Sequence, residues 1–408
     1  MHFRLALSAT LLTGTVVAPA SAARVELADD ELRINIGATS LEQTRQIRRV
    51  LEGEFGARIV HRLDRLNATT VIIHRDDLDR LRDHVDIDRL AAYVERDGLA
   101  SIPDDLVVHQ AVEGSDRPGA LATPNDPGYG SQWAMPCIDI ERGWGRFGFA
   151  ERNVTVAIID TGTDLDHPDL ASHINTADDY DFVNNDSSAD DDNGHGTHTA
   201  GIAAAVTNNG VGVAGVLNAQ ILPIKVLDYW GTGWWSDVAA GIDHAVQKGA
   251  DVISMSIGGG YDSTVKTACQ NAYNAGLLVF GSSGNHGGTT KNYPAAFTSV
   301  IGVGSLRSCT QISGFSGRGF GDDTQEGNVE IVGGGESIYS TYRGGGYAWL
   351  SGTSMSCPQA AGVGLGYMAF APGKSNVQMR HHIQDNADNL GSNSTFGYGR
   401  VDAYPFAD

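Results

Sequence analysis

Three short loops carry the residue types that nucleophilic catalysis needs. Asp160 ends the apolar run "VAIID", His195 lies between two glycines in "NGHGTHTAG", and Ser354 lies in "SGTSMSCP". A serine hydroxyl is a weak nucleophile until a base removes its proton, and histidine is the usual base near neutral pH. A carboxylate can then fix the imidazole tautomer and stabilise its cation. The three residues therefore predict a triad in the chain order Asp, His, Ser.

Each of these residues also has an ordinary structural interpretation. An aspartate after a strand often caps a turn, and Ser354 could cap the helix that comes after it. His195 and His198 have the i, i+3 spacing of a metal pair, but the sequence offers no third ligand beside them. Only the combination of all three loops favours catalysis over these alternatives.

Near-continuous apolar runs alternate with helical patterns from about residue 128 onward. Such runs suit strands that are covered on both faces, and their alternation with helices predicts a parallel sheet. Ligands of such sheets bind at the carboxyl ends of the strands. We therefore expect an α/β domain with a three-layer α/β/α architecture and a mainly parallel central sheet, whose strands are "NVTVAIID", "QILPIKVLD", "ADVISMSIG", "LLVFGSSG" and "SVIGVGSL".

The first residues of the chain read as a targeting segment. Residues 1–22 combine Arg4, an apolar run and the small-residue motif Ala20-Ser21-Ala22, which is typical of a cleaved secretory signal peptide. The alternative is a membrane anchor, but the run is short for a span of about 20 residues. No later stretch is long and apolar enough to cross a bilayer. We expect an exported protein with no membrane partner.

Residues 23–115 differ in composition from the rest of the chain, since they are rich in Arg, Asp and Leu and poor in Gly. Their patterns predict a small α+β unit of order β-α-β-β-α-β, with a first helix that begins after Ser40 and stops at Gly56. Residues 116–127, "DRPGALATPNDP", predict a linker. Residues 128–408 then form the large α/β domain.

The formal net charge of −21 argues against nucleic acid as a partner, because phosphate binding needs clustered Lys and Arg. Export would permit disulfides among the four cysteines, Cys137, Cys269, Cys309 and Cys357. Three complete pairings are possible, and the sequence cannot choose among them. We expect Cys357, beside Ser354, to be a small buried thiol. Cys269 with Cys309 is then the first pair to test.

Four segments, "DTGTDLDHPDL", "GHGTHTAG", "SSGNHG" and "SGTSMSCP", resemble in this order the signature blocks of the subtilisin-like serine proteases. The similarity runs from about Asn125 to Ala403, and thermitase-like members are the group that the chain resembles. The resemblance implies a serine endopeptidase that cuts peptide bonds through an acyl-enzyme. It assigns Ser354 as the nucleophile, His195 as the base and Asp160 as the orienting acid.

Asn285 in "SSGNHG" matches the asparagine of the family's oxyanion hole. The resemblance implies that its side-chain amide and the backbone N–H of Ser354 bind the developing oxyanion. Without the other blocks this residue would be read as a turn asparagine. The first histidine of "GHGTHTAG" matches the catalytic one, so His198 is expected to be structural.

The resemblance also assigns a role to the N-terminal unit. It implies that residues 23–115 are a propeptide, which inhibits the enzyme and assists its folding, so the protein is made as a zymogen. We expect the C-terminal segment of the propeptide to occupy the active site, and the processing cut to fall between about residues 106 and 124. The mature enzyme is expected to be a secreted monomer.

Two segments match the edges that hold an extended peptide as an added strand in this family. Protein or peptide substrates should therefore bind mainly through their backbones, with broad specificity. The pocket before the scissile bond carries no charge, which favours an apolar or aromatic residue there. The residues assigned to this cleft are Ser256, Ile257, Gly258, Gly231, Thr232, Gly233 and Ser283.

Two further stretches resemble calcium loops of the family, whose ions are structural, and no catalytic cofactor is expected. The first stretch would offer oxygen atoms in the number that Ca²⁺ prefers. The second is the acidic loop before His195, for which a solvated loop is an alternative. The first assigned set is Asp126, Asp169, Val206, Asn209, Val211 and Val213, and the second set is Asp181, Asp186 and Asp190.

Two other functions are compatible with parts of this pattern. A non-catalytic scaffold that binds peptides could keep the fold, although all four catalytic groups are present. A serine esterase could share the triad, but α/β-hydrolase esterases carry G-x-S-x-G and the order Ser, Asp, His. This chain has G-T-S-M-S and the order Asp, His, Ser, which favours a peptidase.

Overall fold

A computed structural model of the chain describes residues 27–103 and 121–404. The expected signal segment and most of the expected processing region lie outside these described residues. No helix in the described parts of the chain combines the length and the apolar character that a bilayer crossing needs.

The N-terminal unit is an antiparallel sheet of strand order β2-β3-β1-β4 with a hydrophobic core against its helices. The Ser40 side chain accepts the backbone N–H of Gln43 at the start of the first helix, as its sequence predicts. The elements are β1 (Glu31–Ala38), α1 (Leu41–Glu54), β2 (Arg58–Leu63), β3 (Ala68–His74), α2 (Asp77–Arg82), α3 (Val85–Leu90) and β4 (Ala91–Arg96), and then a short strand β5 (Leu99–Ser101).

The second helix expected in this unit, over "RDDLDRLRDHV", is shorter than predicted, and a division separates it, as α2, from an additional helix α3. The backbone N–H of Asp83 closes α2, and His84 then adopts an extended conformation before α3 begins. The charged pattern "RDDLDRLRDHV" continues through this break without a glycine or proline. Nothing in the pattern of residues therefore indicates the division.

The large domain continues the chain from residue 121. Its helices are α4 (Ala134–Cys137), α5 (Ile140–Phe147), α6 (His195–Ala204), α7 (Trp235–Gln247), α8 (Ser263–Asn274), α9 (Thr353–Phe370), α10 (Asn376–Asn386) and α11 (Asn393–Phe396). Its strands are β6 (Arg152–Asp160), β7 (Tyr180–Asp181), β8 (Ala219–Lys225), β9 (Thr232–Trp234), β10 (Val252–Met255), β11 (Gly258–Gly259), β12 (Leu278–Ser282), β13 (Ile301–Ser308), β14 (Gln311–Ile312), β15 (Ile331–Gly334), β16 (Ile338–Tyr342) and β17 (Gly346–Leu350).

The central sheet has the strand order β14-β13-β12-β10-β6-β8-β7, and β15 also pairs with β13. Every pairing in it is parallel except that of β13 with β14. Val156 and Ile158 of β6 face a core formed with α6 and α9, whereas Ala157 and Ile159 face a core formed with α7 and α8. The expected three-layer α/β/α fold is confirmed, and the apolar runs are strands because both of their faces are covered.

The disulfide of the structure joins Cys137 and Cys309, whose Cα atoms are 5.2 Å apart. The pair Cys269–Cys309 was therefore the wrong choice. Cys269 packs inside the core around α7 and α8, while Cys309 comes after β13 and packs beside Cys137 in a separate cluster. Cys357 is a buried thiol, as expected, and burial raises its pKa to about 12.

The Cys137→Ala variant should lose this cross-link, which closes a loop over a sequence separation of 172 residues. We expect the free energy of unfolding to fall by about 2–5 kcal/mol, measured by denaturant unfolding. Cys269→Ala is the matched control, because it removes a buried thiol and leaves the bridge intact. Thiol titration of the denatured proteins should count one more free thiol in Cys137→Ala than in wild type. An increase in Cys269→Ala instead would contradict the assigned pair.

Candidate active site

The carboxylate of Asp160 lies at the carboxyl end of β6, where it is 1% exposed. Its Oδ1 accepts the backbone N–H of Thr161 and lies 2.7 Å from Nδ1 of His195. His195, at 3% exposed, is the first residue of α6. The pair is thus held by the end of a strand and the start of a helix, both shielded from water.

Gly196 explains how the helix can come so close to the strand. A Cβ atom at this position would lie 2.0 Å from the backbone oxygen of Gly162, a distance that no side chain tolerates. The absence of a side chain lets the first turn of α6 lie against the loop after β6. The glycine immediately after His195 in "GHGTH" is therefore required for the contact between His195 and Asp160.

Ser354 lies in the first turn of α9 and is fully buried. Pro358 has no N–H to donate to the Ser354 carbonyl in the usual helical bond, and this carbonyl instead accepts the hydroxyl of Ser256 at 2.7 Å. In return, Oγ of Ser354 lies 3.5 Å from the backbone oxygen of Ser256. The proline of "GTSMSCP" thus frees the carbonyl that ties the serine turn to the chain after β10.

The sheet register places this serine turn beside the Asp160–His195 pair. β10 is the parallel neighbour of β6, with Ser254 opposite Ile158. Asp160 ends β6 two residues after Ile158, and Ser256 comes directly after the end of β10, so both lie at the same edge of the sheet. The helices α6 and α9 pack together on the same side of the sheet. The three loops predicted to carry the triad therefore meet at one carboxyl edge, as expected for such a sheet.

Asn285 comes after β12 at the same edge. Its Oδ1 accepts two hydrogen bonds from Thr353, from the backbone N–H and from the hydroxyl, each at 2.9 Å. The Thr353 hydroxyl oxygen also accepts the backbone N–H of Gly284 at 3.1 Å. Because the side-chain oxygen is committed to Thr353, the orientation of the amide group is fixed one residue before Ser354.

His198 is fully buried one turn after His195. Its Nε2 lies 3.1 Å from the backbone oxygens of both Ile338 and Ala348, so this nitrogen carries the proton and donates it. Burial lowers the pKa of His198 to about 3. A neutral histidine that bridges α6 to β16 and β17 agrees with the structural role expected for it.

The short strand β5 lies between β9 and β11 as the middle strand of an antiparallel sheet. Beyond β5, the backbone N–H of Ile102 donates to the oxygen of Gly231 at 2.9 Å. A Cβ at Gly231 would lie 2.6 Å from the Ile102 side chain, and φ there is +71°, so only glycine fits. Residues of the N-terminal unit thus run as an extended strand between the two segments expected to bind substrate.

The residues assigned to the cleft fall into three groups. Gly231, Thr232, Gly233 and Gly258 belong to the two edges that flank β5. Ile257 and Ser283 are fully buried behind these edges. Ser256 contacts the turn of the candidate nucleophile through its hydroxyl.

Docking of the N-terminal unit uses an ion network that the sequence did not reveal. Arg33 of β1 is buried and contacts the carboxylates of Asp97 at 2.8 Å and Asp237 at 2.6 Å. Nε2 of His61 lies 2.7 Å from the same oxygen of Asp237. In the sequence, Arg33, His61 and Asp97 look like surface charges of a small α+β unit, and Asp237 looks like a surface charge of a helix in the large domain. Only the alternation of "ELRINIG", which puts Arg33 and Asn35 on one face of a strand, could have pointed to them.

The first candidate calcium loop is assembled around two buried carboxylates. Asp126 accepts backbone N–H groups of the loop, and Asp169 accepts the side-chain amide of Asn209 at 2.8 Å. The three valines form hydrogen bonds here through their backbone N–H groups. Val206 donates to the backbone oxygen of Asp169, and Val213 donates to Oδ2 of the same residue. Val211 donates to Oδ1 of Asn209.

The electrostatics of this loop fit a cation. Burial, with the charge of Asp126 as a further cause, raises the pKa of Asp169 to about 6. Two carboxylates and an amide are hard oxygen donors of the type that Ca²⁺ prefers. A bound cation would offset the repulsion between the two acids, so the residues present are chemically suited to calcium.

The second candidate set is not assembled as ligands. Asp181 accepts N–H groups of its own loop, including both amides of Asn184, and bridges to Asp186 through the backbone. Asp190 instead accepts the backbone N–H of Leu165 at 3.3 Å. Among the residues that the structure describes, no cluster of three or more His, Cys, Asp or Glu side chains is placed to hold a metal ion, which applies to both sets. We derive no calcium site from this loop.

The sequence matches the subtilase family over residues 151–399. Thermitase from Thermoactinomyces vulgaris is 42% identical over 287 residues, which cover 69% of this chain and 98% of thermitase. Subtilisin DY from Bacillus licheniformis is 39% identical over 260 residues, covering 62% and 90% of the two chains. The halolysin-like extracellular serine protease Nep from Natrialba magadii is 38% identical over 293 residues, covering 69% and 52%.

Fold and similarity together define the class of protein as a hydrolase, a serine-type endopeptidase that needs no catalytic cofactor. The chain belongs to the subtilase family and resembles its thermitase-like members.

The Thr353→Val variant tests how the Asn285 amide is oriented. Valine keeps the shape of the side chain but removes the hydroxyl that bonds to Asn285 Oδ1. We expect kcat to fall about tenfold at unchanged KM, a smaller loss than the roughly 10²–10³-fold known in this family when the oxyanion donor itself is removed. Thr353→Ser keeps the hydroxyl and should retain kcat. Equal losses in both variants would mean that Thr353 acts through packing alone.

Proposed function

We propose that the protein is a secreted serine endopeptidase made as a zymogen, with Asp160, His195 and Ser354 as its catalytic triad. The 2.7 Å contact between Asp160 and His195, at the sheet edge where the Ser354 turn begins a helix, carries this proposal. The sequence pattern of residues 1–22 supports secretion. The similarity to a halolysin-like protease whose name calls it extracellular supports it as well.

In the first half of the reaction, Ser354 attacks the carbonyl carbon of a peptide bond. Because Asp160 accepts the proton of Nδ1, the other ring nitrogen of His195, Nε2, acts as the base that receives the hydroxyl proton. The buried carboxylate stabilises the imidazolium that results. His195 then protonates the leaving amine, and the acyl chain stays on Ser354 as an ester.

The negative charge that develops on the carbonyl oxygen needs donors that are already in place. The side-chain amide of Asn285 and the backbone N–H of Ser354 would supply them. The two bonds from Thr353 to Asn285 Oδ1 support this assignment, because they fix which end of the amide can donate. Water activated by His195 then releases the acid in the second half of the reaction.

Casein hydrolysis by purified wild type, Ser354→Ala and His195→Ala tests the triad. We expect either variant to lose about 10⁶-fold in kcat, since the members of a triad act as a unit. A serine-directed fluorophosphonate should block the wild type and fail to label Ser354→Ala. Casein hydrolysis that survives in Ser354→Ala would contradict the proposal, and turnover of simple esters without casein hydrolysis would favour an esterase.

The cleft would bind substrate as an added strand between β9 and β11, because β5 already occupies that position through backbone hydrogen bonds. Backbone recognition gives broad specificity. Gly258 and Ser283 would shape the uncharged pocket before the scissile bond, which favours an apolar or aromatic residue there. In the same position, the segment immediately after β5 would act as an inhibitor of its own enzyme.

The pairing of β5 with β11 indicates which residue of this segment reaches the nucleophile. Ser101 lies opposite Gly258 in an antiparallel pair, so two residues later Pro103 stands opposite Ser256. The backbone oxygen of Ser256 is the atom that contacts Oγ of Ser354. Proline has no N–H to donate to that oxygen. The segment would therefore hold a poor substrate residue at the cutting position and resist cleavage there.

The Pro103→Leu variant should make the inhibitory segment cleavable, because leucine restores the backbone N–H at this position and supplies an apolar side chain. N-terminal sequencing of the secreted protein should find a form that begins at Asp104 in the variant. The wild type should begin between about residues 106 and 124, as the linker composition predicts. A wild-type product that starts at residue 23 would count against the zymogen, and one that starts at Asp104 would contradict the register.

We also propose a structural calcium ion at the loop of Asp126 and Asp169, with Asn209 and the backbone oxygens of Val206, Val211 and Val213 as its further ligands. When bound, the ion would neutralise the two buried acids and cross-link the loop to the chain that precedes α4. The proposal rests on the raised pKa of Asp169 and on the two buried carboxylates, Asp126 and Asp169, which both bond to Asn209 of this loop.

Chelation should lower the melting temperature of an inactive Ser354→Ala chain, measured by calorimetry so that autolysis plays no part. An ion at 100 times its Kd stabilises the fold by about 2.7 kcal/mol. The Asp169→Asn variant should melt at the same temperature with and without chelator. Asp322→Asn, which alters a buried turn carboxylate elsewhere, should keep the calcium response. A melting temperature of the Ser354→Ala chain that is the same with calcium and with chelator would exclude the site.

A further inference from the structure

Asp191 is a buried carboxylate, 7% exposed, that the proposed reaction does not use. Its Oδ1 accepts the Thr161 hydroxyl at 2.9 Å and the backbone N–H groups of Asn193 and Gly194 at 3.0 and 2.8 Å. Its Oδ2 accepts the backbone N–H and the hydroxyl of Thr197 at 2.9 and 2.6 Å. All five partners are donors, so the position suits a group that only accepts hydrogen bonds.

The bonds of Asp191 with Gly194 and Thr197 fix the residues on both sides of His195. Gly194 precedes His195 and Thr197 lies two residues after it, in the first turn of α6. Backbone N–H groups at a helix start have no partner within the helix, and a carboxylate there is favoured by the helix dipole. Asp191 therefore determines where α6 begins and how the backbone of His195 is presented.

The bond between the Thr161 hydroxyl and Asp191 connects Asp191 to the loop that carries Asp160. Thr161 comes directly after Asp160 and donates its N–H to Oδ1 of that residue at 2.7 Å. The Thr161 hydroxyl donates to Asp191 and accepts the N–H of Gly196 at 2.9 Å. The Thr161 backbone oxygen accepts the buried ammonium of Lys225 at 2.7 Å. Thr161 thus links the two carboxylates through one short run of hydrogen bonds.

We propose that Asp191 is a positioning residue for peptide hydrolysis, which acts through Thr161 and the first turn of α6 to hold Asp160 and His195 in contact. The role rests on the proposed triad. It differs from simple helix capping, because one carboxylate is bonded to both of the elements that must meet. Loss of the acceptor would let the strand end and the helix start shift relative to each other.

The test compares four variants, each expressed as the full chain and assayed after processing. Two of them break the linkage and two are matched controls. Asp191→Asn replaces one acceptor oxygen by an NH₂ group that faces donors, and Thr161→Val removes only the linking hydroxyl. Thr161→Ser retains that hydroxyl. Asp322→Asn alters another buried carboxylate, one that accepts N–H groups of Thr324 and Gln325. Each protein is titrated for active sites with a fluorophosphonate before kcat and KM are measured on a peptide substrate.

We expect Asp191→Asn and Thr161→Val to lower kcat per titrated site by about 10- to 100-fold at unchanged KM, since misplacement by about 1 Å costs up to about 100-fold. Thr161→Ser and Asp322→Asn should keep the wild-type kcat, even where their melting temperatures fall. If Asp191→Asn does not fold, Thr161→Val and Thr161→Ser decide the question alone. A kcat per site that stays within twofold of wild type in Thr161→Val overturns the proposal.

Failure of this inference is distinguishable from failure of the proposed triad. His195→Ala, measured beside these variants, should remove activity if the triad is correct. Full activity in His195→Ala would overturn the triad and the positioning role together. Loss in His195→Ala with unchanged kcat in Asp191→Asn and Thr161→Val would leave the triad intact and show that Asp191 only stabilises the fold.

Discussion

The contact between Asp160 and His195 is the constraint around which the edge of the sheet is organised. A carboxylate and an imidazole, both almost completely buried, must meet although one ends a strand and the other starts a helix. Gly196 removes the side chain that would keep the two elements apart, and Asp191 and Thr161 bond to both sides. Ser256 comes directly after the neighbouring strand β10, and its hydroxyl donates to the Ser354 carbonyl and so fixes the turn of Ser354.

The strands and the order of layers could be predicted because each parallel strand is covered on both faces and reads as an apolar run. The strand-end position of Asp160 could be predicted from the same pattern. The disulfide could not be predicted, because the distance between Cys137 and Cys309 is set by where β13 ends relative to α4. The bonds of Asp191 also left no signal, since polar capping within a loop has no sequence period.

The N-terminal unit shows a second limit of sequence reasoning. Its elements were predictable from their own patterns, but its contacts with the large domain were not. In the sequence, Arg33 and Asp97 look like ordinary charged residues. In the fold, Asp237 also contacts Arg33, and these charges must be paired because they are buried. These ion pairs join the N-terminal unit to the start of α7, directly after β9, which is one of the two strands that β5 pairs with.

The placement of β5 has a consequence for solubility. Without β5, the short strands β9 and β11 would face each other across a gap, and each would leave backbone groups open to any extended chain that enters. While Leu99–Ser101 fills the gap, both edges are closed to neighbouring molecules in a crowded, newly made pool of protein. The segment that we propose to block turnover would therefore also protect these strand edges from intermolecular aggregation until the chain reaches dilute surroundings.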